Sequence, residues 1–334
     1  MLTRRHLASA PALLAAPAFA QGNQRVRMLL DWTYQSPNAF ALVARERGFF
    51  REAGVEVQVD RGQGSGAVPV GLAGGTHDIG YGDISAAIRF AAENPDKGLI
   101  CVALLHDRAP LCAIVRADGP IRTPKDLEGK RLAAPDFDAG RQLFPAFARA
   151  AGIDASKVTF VSVSPALREP MLVRREADGI TGFVTTSALA LKGIGLDHPA
   201  QRVFLYSDHG LNLYGGCLLT TRAFAERNPA ALRGALAGLI RGFRVSVNEP
   251  EAMLAVLRQA EPLVDIAQER ERQQMNIRLI ATDHVRQQGI SVVDPARMQA
   301  GIEAVQTTFN LSNRLAPAAF YTDAFLPPVA ERRL

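Results

Sequence analysis

From residue 26 to about residue 220, short apolar runs alternate with segments whose apolar positions recur three and four apart. That alternation predicts βα units and parallel or mixed sheets. Strands are expected at 26–30, 55–59 and 78–81, with helices over 39–47, 65–73 and 84–92. Two apolar strands at 99–105 and 111–115 precede a short polar helix within 123–130, bounded by turn residues. A second set follows, with strands at 131–134, 158–161 and 179–183 and helices near 140–151, 166–176 and 186–192. Beyond residue 223 the pattern becomes purely helical, with amphipathic stretches at 229–246, 251–259, 265–281 and 295–308.

Two successive α/β sets followed by a helical tail predict two lobes, the tail returning to cover the first. The lobes are expected at 21–113 plus 218–334 and at 114–217, with crossovers near 111–116 and 214–220. A chain of 334 residues exceeds the usual size of a single core. Open α/β sheets bind ligands at the carboxyl ends of their strands, and cavities favour domain interfaces. The cleft between the lobes is therefore the expected site.

The first twenty residues read as a signal peptide. Thr3-Arg4-Arg5-His6-Leu7 opens a charged start that runs into an Ala/Leu-rich stretch ending Ala18-Phe19-Ala20. Cleavage is expected near Ala20. The paired arginines fit a twin-arginine signal and also occur in ordinary secretory leaders, so both export routes remain open. No cysteine follows the cleavage point, so a free periplasmic product without a lipid anchor is expected. No later stretch holds the run of roughly 18 apolar residues that a membrane span needs.

The formal charge of +5 is spread along the chain without a Lys/Arg block, which excludes a nucleic-acid footprint. Three cysteines, Cys101, Cys112 and Cys217, are too few for a disulfide framework and lack metal-site spacing. They read as buried thiols, with a Cys101–Cys112 bridge as the alternative in an oxidising compartment.

Several motifs then agree in order and spacing. Leu30-Asp31-Trp32-Thr33 closes the first strand, and Asn38 opens the helix that leads to Arg47-Gly48-Phe49-Phe50-Arg51-Glu52-Ala53-Gly54-Val55. Gly64-Ser65-Gly66 follows the second strand, Asp78-Ile79-Gly80-Tyr81-Gly82-Asp83 forms the third, and 123–130 carries Pro124, Asp126, Leu127, Gly129 and Lys130. This set resembles the nitrate, sulfonate, taurine and thiamine-pyrimidine branch of periplasmic substrate-binding proteins. The resemblance implies an α/β fold of the two-lobed periplasmic-binding-protein type, with a hinge that lets the lobes close over a small-molecule ligand. It also implies an ABC permease and ATPase as partners, a monomeric binder, and no cofactor or metal.

Ligand-binding residues are expected at Trp32, Asn38, Gly64, Ser65 and Asp83 in lobe 1, and at Asp136, Phe137, Phe183, Asp208 and Tyr214 in lobe 2. The Asp31-Trp32 pair looks like the pyrimidine-precursor subgroup, in which an aromatic at this strand end stacks on a flat ring. Trp32 is the chain's single tryptophan, and packing within the first lobe is the other role open to it. Stacking of this kind contributes about 0.5–1.5 kcal/mol beyond area burial. Asp31, Asp83, Asp136, Asp138 and Asp208 fall at cleft-facing turns, where carboxylates disfavour anions and accept N–H donors. Each also has the residue type of a helix N-cap, and Asp138, just before a helix start, reads that way. Arg61, Arg108 and Arg141 keep an acidic ligand, such as a sulfonate, taurine or nitrate, as the alternative. The glycines of 64–66 suggest a backbone that approaches a ligand closely.

The rival of another class is a pyrimidine-synthase-like enzyme of the same fold. That pattern places a histidine in the loop after the second strand and a cysteine-rich motif nearby, whereas this loop reads Arg61-Gly62-Gln63-Gly64-Ser65-Gly66. No Gly-x-Ser-x-Gly, His-Glu-x-x-His or phosphate-loop motif occurs. A non-catalytic binder is expected, feeding an importer or signalling as a periplasmic sensor subunit.

Overall fold

The computed structural model describes residues 24–334, so the expected leader and its cleavage point lie outside the described residues. Side-chain alternation makes the first two strands. β1 (Gln24–Leu29) buries Val26 and Met28 while Arg25 and Arg27 face water, and β2 (Val55–Asp60) buries Val55, Val57 and Val59. β3 (Ile79–Asp83), in the middle of the sheet, and β4 (Leu99–Leu104), at its edge, are both buried along their whole length. With β10 (Gly216–Thr221) they form a sheet of order β2-β1-β3-β10-β4, in which β10 runs antiparallel to both neighbours.

The second sheet repeats the plan. β5 (Leu111–Arg116), β6 (Arg131–Ala134), β7 (Thr159–Ser162), β8 (Gly179–Phe183) and β9 (Gln201–Leu205) adopt the order β7-β6-β8-β5-β9, and β5 is the antiparallel member. The chain crosses between the sheets over 105–110 and back over 206–215. The stretches expected to be crossovers, 111–116 and 214–220, are instead strand β5 and most of β10. Their apolar runs serve as the antiparallel strand of each sheet.

Sequence patterning missed β9. Its residues Gln201-Arg202-Val203-Phe204-Leu205 have no clean alternation: polar Gln201 and apolar Phe204 are buried, while Arg202, Val203 and Leu205 are half-buried.

The helical tail covers the first sheet. Helix Pro229–Asn248 buries Leu232, Leu236, Leu239 and Phe243, and the Phe243 ring meets Phe40 edge to face at 5.6 Å. Gly242 makes this approach possible, since a Cβ there would lie 2.3 Å from the Phe40 carbonyl oxygen. All three cysteines are buried free thiols, and Cys101 and Cys112 sit in different sheets, on β4 and β5. The Cys101–Cys112 bridge is not formed.

Candidate functional site

The carboxyl ends of β1 and β8 face each other across a cavity open to solvent, with about 580 Å³ of empty space in and at the mouth of it. On the first-sheet side, the chain leaving β1 is held open by a glycine-rich loop. Gly64 N–H donates to the Asp31 carbonyl at 2.7 Å and Gly62 N–H to the Trp32 carbonyl at 3.2 Å. Only glycine fits at 62, where a Cβ would lie 2.0 Å from the Leu30 carbonyl oxygen. Gly64 has φ +141°, and a Cβ there would lie 2.4 Å from the Phe137 carbonyl oxygen. Gly66 N–H donates to that same carbonyl at 3.0 Å. The backbone that Gly64 allows close is the other lobe's, at Phe137.

Asp31 thereby points into the cavity from a buried position. The Ser65 hydroxyl donates to its Oδ2 at 2.9 Å. Burial pushes its carboxyl up to about 7, opposed in part by the Ser65 bond and reinforced by the nearby charges of Asp83 and Asp138. Asn38 is held by its Nδ2 donating to the Thr33 carbonyl at 2.9 Å, while its Oδ1 accepts the Gln35 N–H at 3.0 Å. Trp32, half-buried beside Asp31, supplies the aromatic wall.

The second-sheet side contributes Phe183 at the end of β8, and Thr185 and Thr186 in the first turn of helix Val184–Gly193. Asp138 caps the short helix Ala139–Gln142 by accepting the Arg141 N–H at 2.8 Å, and it also lines the cavity. Its Oδ2 accepts from Arg168 Nη1 at 3.1 Å, and Thr181 Oγ1 donates to Oδ1 at 3.1 Å. Arg168 is 2% exposed and also donates to Glu169 through Nε and Nη2, at 2.8 and 2.6 Å. The one guanidinium in the cavity wall is thus already shared between two carboxylates.

In the first crossover, His106 closes the floor. Its Nδ1 accepts the Tyr81 hydroxyl at 3.1 Å and its Nε2 donates to Asn276 Oδ1 at 2.7 Å. Burial lowers the imidazole to about 4, so this is a neutral ring with both nitrogens engaged.

Of the expected site residues, the cavity gathers Trp32, Asn38, Gly64, Ser65 and Phe183. The other five do not line it. Asp83 lies buried behind it as the N-cap of helix Ile84–Glu93, accepting the Ser85 N–H at 2.9 Å, and burial pushes it up to about 6. Asp136 is exposed and bound to Ser162 and Arg141, at 2.6 and 2.7 Å. Phe137 presents its carbonyl to the glycine loop while its ring is 44% exposed. Asp208 is exposed in the second crossover. Tyr214 packs under Arg297, 3.9 Å from the ring centroid, and its hydroxyl accepts the Asp294 N–H in a separate cavity of about 190 Å³. Sequence reasoning placed Asp31 and Asp138 at cleft-facing turns, and read Asp138 as the helix N-cap that it is, without naming either as a ligand contact; it did not single out Tyr81, His106 or Arg168. For Asp31 and Asp138 a signal existed, their place at strand ends; for Arg168, inside a helical pattern, there was none.

Two mixed sheets, each flanked by helices, with a ligand-sized cavity between them define a two-lobed binding-protein fold. Solved structures share it: the alkanesulfonate-binding protein SsuA from Xanthomonas axonopodis pv. citri, bound to MOPS, superposes with a TM-score of 0.71 at 17% identity, over 91% of this chain and 99% of that one. The chain belongs to the NMT1/THI5-like family, whose model matches residues 36–253. A formylaminopyrimidine-binding protein from Halalkalibacterium halodurans is 26% identical over 270 residues, 77% of each chain. A 4-amino-5-hydroxymethyl-2-methylpyrimidine phosphate synthase from Legionella pneumophila is 24% identical over 250 residues, covering 73% of this chain and 76% of that protein.

Proposed function

We propose that this chain is the exported, non-catalytic solute-binding component of an ABC importer, and that its cavity takes a small amino-substituted pyrimidine. The observation that carries the reading is the buried Asp31 carboxyl beside the Trp32 ring, with Ser65 as its donor from another residue. A flat heterocycle with an exocyclic amine gains ring stacking and N–H donation to that carboxyl at once. With burial bringing the Asp31 carboxyl to about 7, its ionised form, the stronger acceptor for such an N–H, is available near neutrality.

A sulfonate or nitrate would meet the opposite electrostatics. The single arginine in the cavity wall, Arg168, is already hydrogen-bonded to Asp138 and Glu169, and Asp31 adds a further carboxyl to the same cavity. A relative named as a formylaminopyrimidine-binding protein supports the pyrimidine class. The His106 beside the cavity is held neutral by burial, and its hydrogen bonds run to Tyr81 and Asn276, neither of them a carboxylate that would orient it as a general base. Closure of the two lobes, 24–104 plus 216–334 and 111–205, about the two crossovers would present the loaded form to a permease and ATPase complex. Titration calorimetry against aminopyrimidines, taurine, an alkanesulfonate and nitrate tests the reading. Binding confined to aminopyrimidines is expected, and heat from the sulfonates alone would reject it.

A further inference from the structure

Trp32 and Arg168 belong to opposite sides of the cleft. Trp32 follows β1 of the first sheet, whereas Arg168 opens helix Arg168–Val173 between β7 and β8 of the second. The guanidinium carbon nevertheless lies 5.0 Å from the indole centroid. The guanidinium is held in place from behind by Asp138 and Glu169, both on its own side of the cleft. From these contacts the geometry points to Arg168 as a cross-cleft latch: its guanidinium, fixed by two carboxylates, grips one face of Trp32 when the lobes close and so couples ligand capture to closure.

Three features carry the assignment. First, the cation is pre-positioned, since three of its nitrogens are hydrogen-bonded within its own lobe and closure needs no rotamer search. Second, the contact is dry, with Arg168 only 2% exposed, and a guanidinium over an indole is worth most when desolvated. Third, covering one indole face leaves the other for a stacked ring, so ligand and latch act on the same side chain without competing. Another polar contact joins the lobes beside it: Thr186 Oγ1 donates to Gln35 Oε1 at 3.0 Å. The inference deepens the solute-binding reading above and assigns Arg168 as a positioning residue for it.

The test uses no ligand. A Gln35→Cys/Thr186→Cys variant places two thiols across the cleft, and the three native cysteines are buried. Its rate of reaction with a short thiol cross-linker then reports the closed population of the ligand-free protein. Arg168→Lys keeps a cation for Asp138 and Glu169 but has no planar face for the indole. Trp32→Leu removes the ring and leaves the buried charges untouched, so it carries the test even where Arg168→Lys fails to fold. Each variant should slow cross-linking by about thirtyfold, and the double variant by no more than either one. Cross-linking of Trp32→Leu at the parent rate, or effects of the two variants that simply add, would overturn the latch. Failure of the pyrimidine panel would leave this result standing, because no pyrimidine enters the measurement.

Discussion

Replacing Asp31 by Asn should make the protein more stable and a poorer binder, and the stability gain should depend on pH. The Asp31 carboxyl is pushed from an ordinary 3.8 up to about 7 by burial. A carboxyl raised in the folded state contributes most favourably below its unfolded value and loses that contribution as pH rises through the folded one. For Asp31 the window runs from about 4 to about 7. At about 1.4 kcal/mol per tenfold change, ionising it in place costs the fold about 4 kcal/mol at pH 8 and less than half of that at pH 5. The isosteric amide has no such term, so the stability difference between variant and parent should widen by about 2–3 kcal/mol between pH 5 and pH 8. Urea unfolding at both pH values measures it. The same variant should bind an aminopyrimidine about tenfold more weakly, because a charge-assisted hydrogen bond becomes a neutral one. A stability difference that stays flat with pH would refute the burial argument, and unchanged affinity would remove Asp31 from the ligand contacts.

Other substitutions separate the cavity from its surroundings. Trp32→Ala should weaken aminopyrimidine binding at least tenfold in calorimetry, from lost stacking and lost apolar contact. Tyr214→Phe should leave that affinity unchanged while lowering stability by about 1 kcal/mol, since it strips the acceptor from the Asp294 N–H outside the cavity. Gly64→Ala should impair closure, because its Cβ would collide with the Phe137 carbonyl, and small-angle scattering with ligand should show a more extended particle than the parent. Thiol titration of the denatured protein without reductant should count three free cysteines.

Much of the fold was legible because each α/β unit writes its own periodicity. β6 and β8 fall at the residues that patterning marks, 131–134 and 179–183. β9 was not, since its buried positions are Gln201 and Phe204, three apart, with half-buried residues between them, so no period of two appears. In the site, residues at strand ends were the readable ones: Trp32, Gly64, Ser65 and Phe183 follow or end strands, and topology alone brings them to the cleft. Arg168 reaches the cavity through packing of a helix, a route that local sequence does not encode. Asp136 and Asp138 show how fine the distinction is. Two positions apart, one caps a helix and turns inward while the other pairs with Arg141 in solvent.

The central claim, a periplasmic binder of an aminopyrimidine, is tested most directly by mass spectrometry of the small molecules released on denaturing protein purified without refolding from the cells that make it. A stoichiometric species with an amino-substituted pyrimidine ring is predicted. A stoichiometric sulfonate or nitrate, released from a cavity walled by Asp31 and Asp138, would contradict the account.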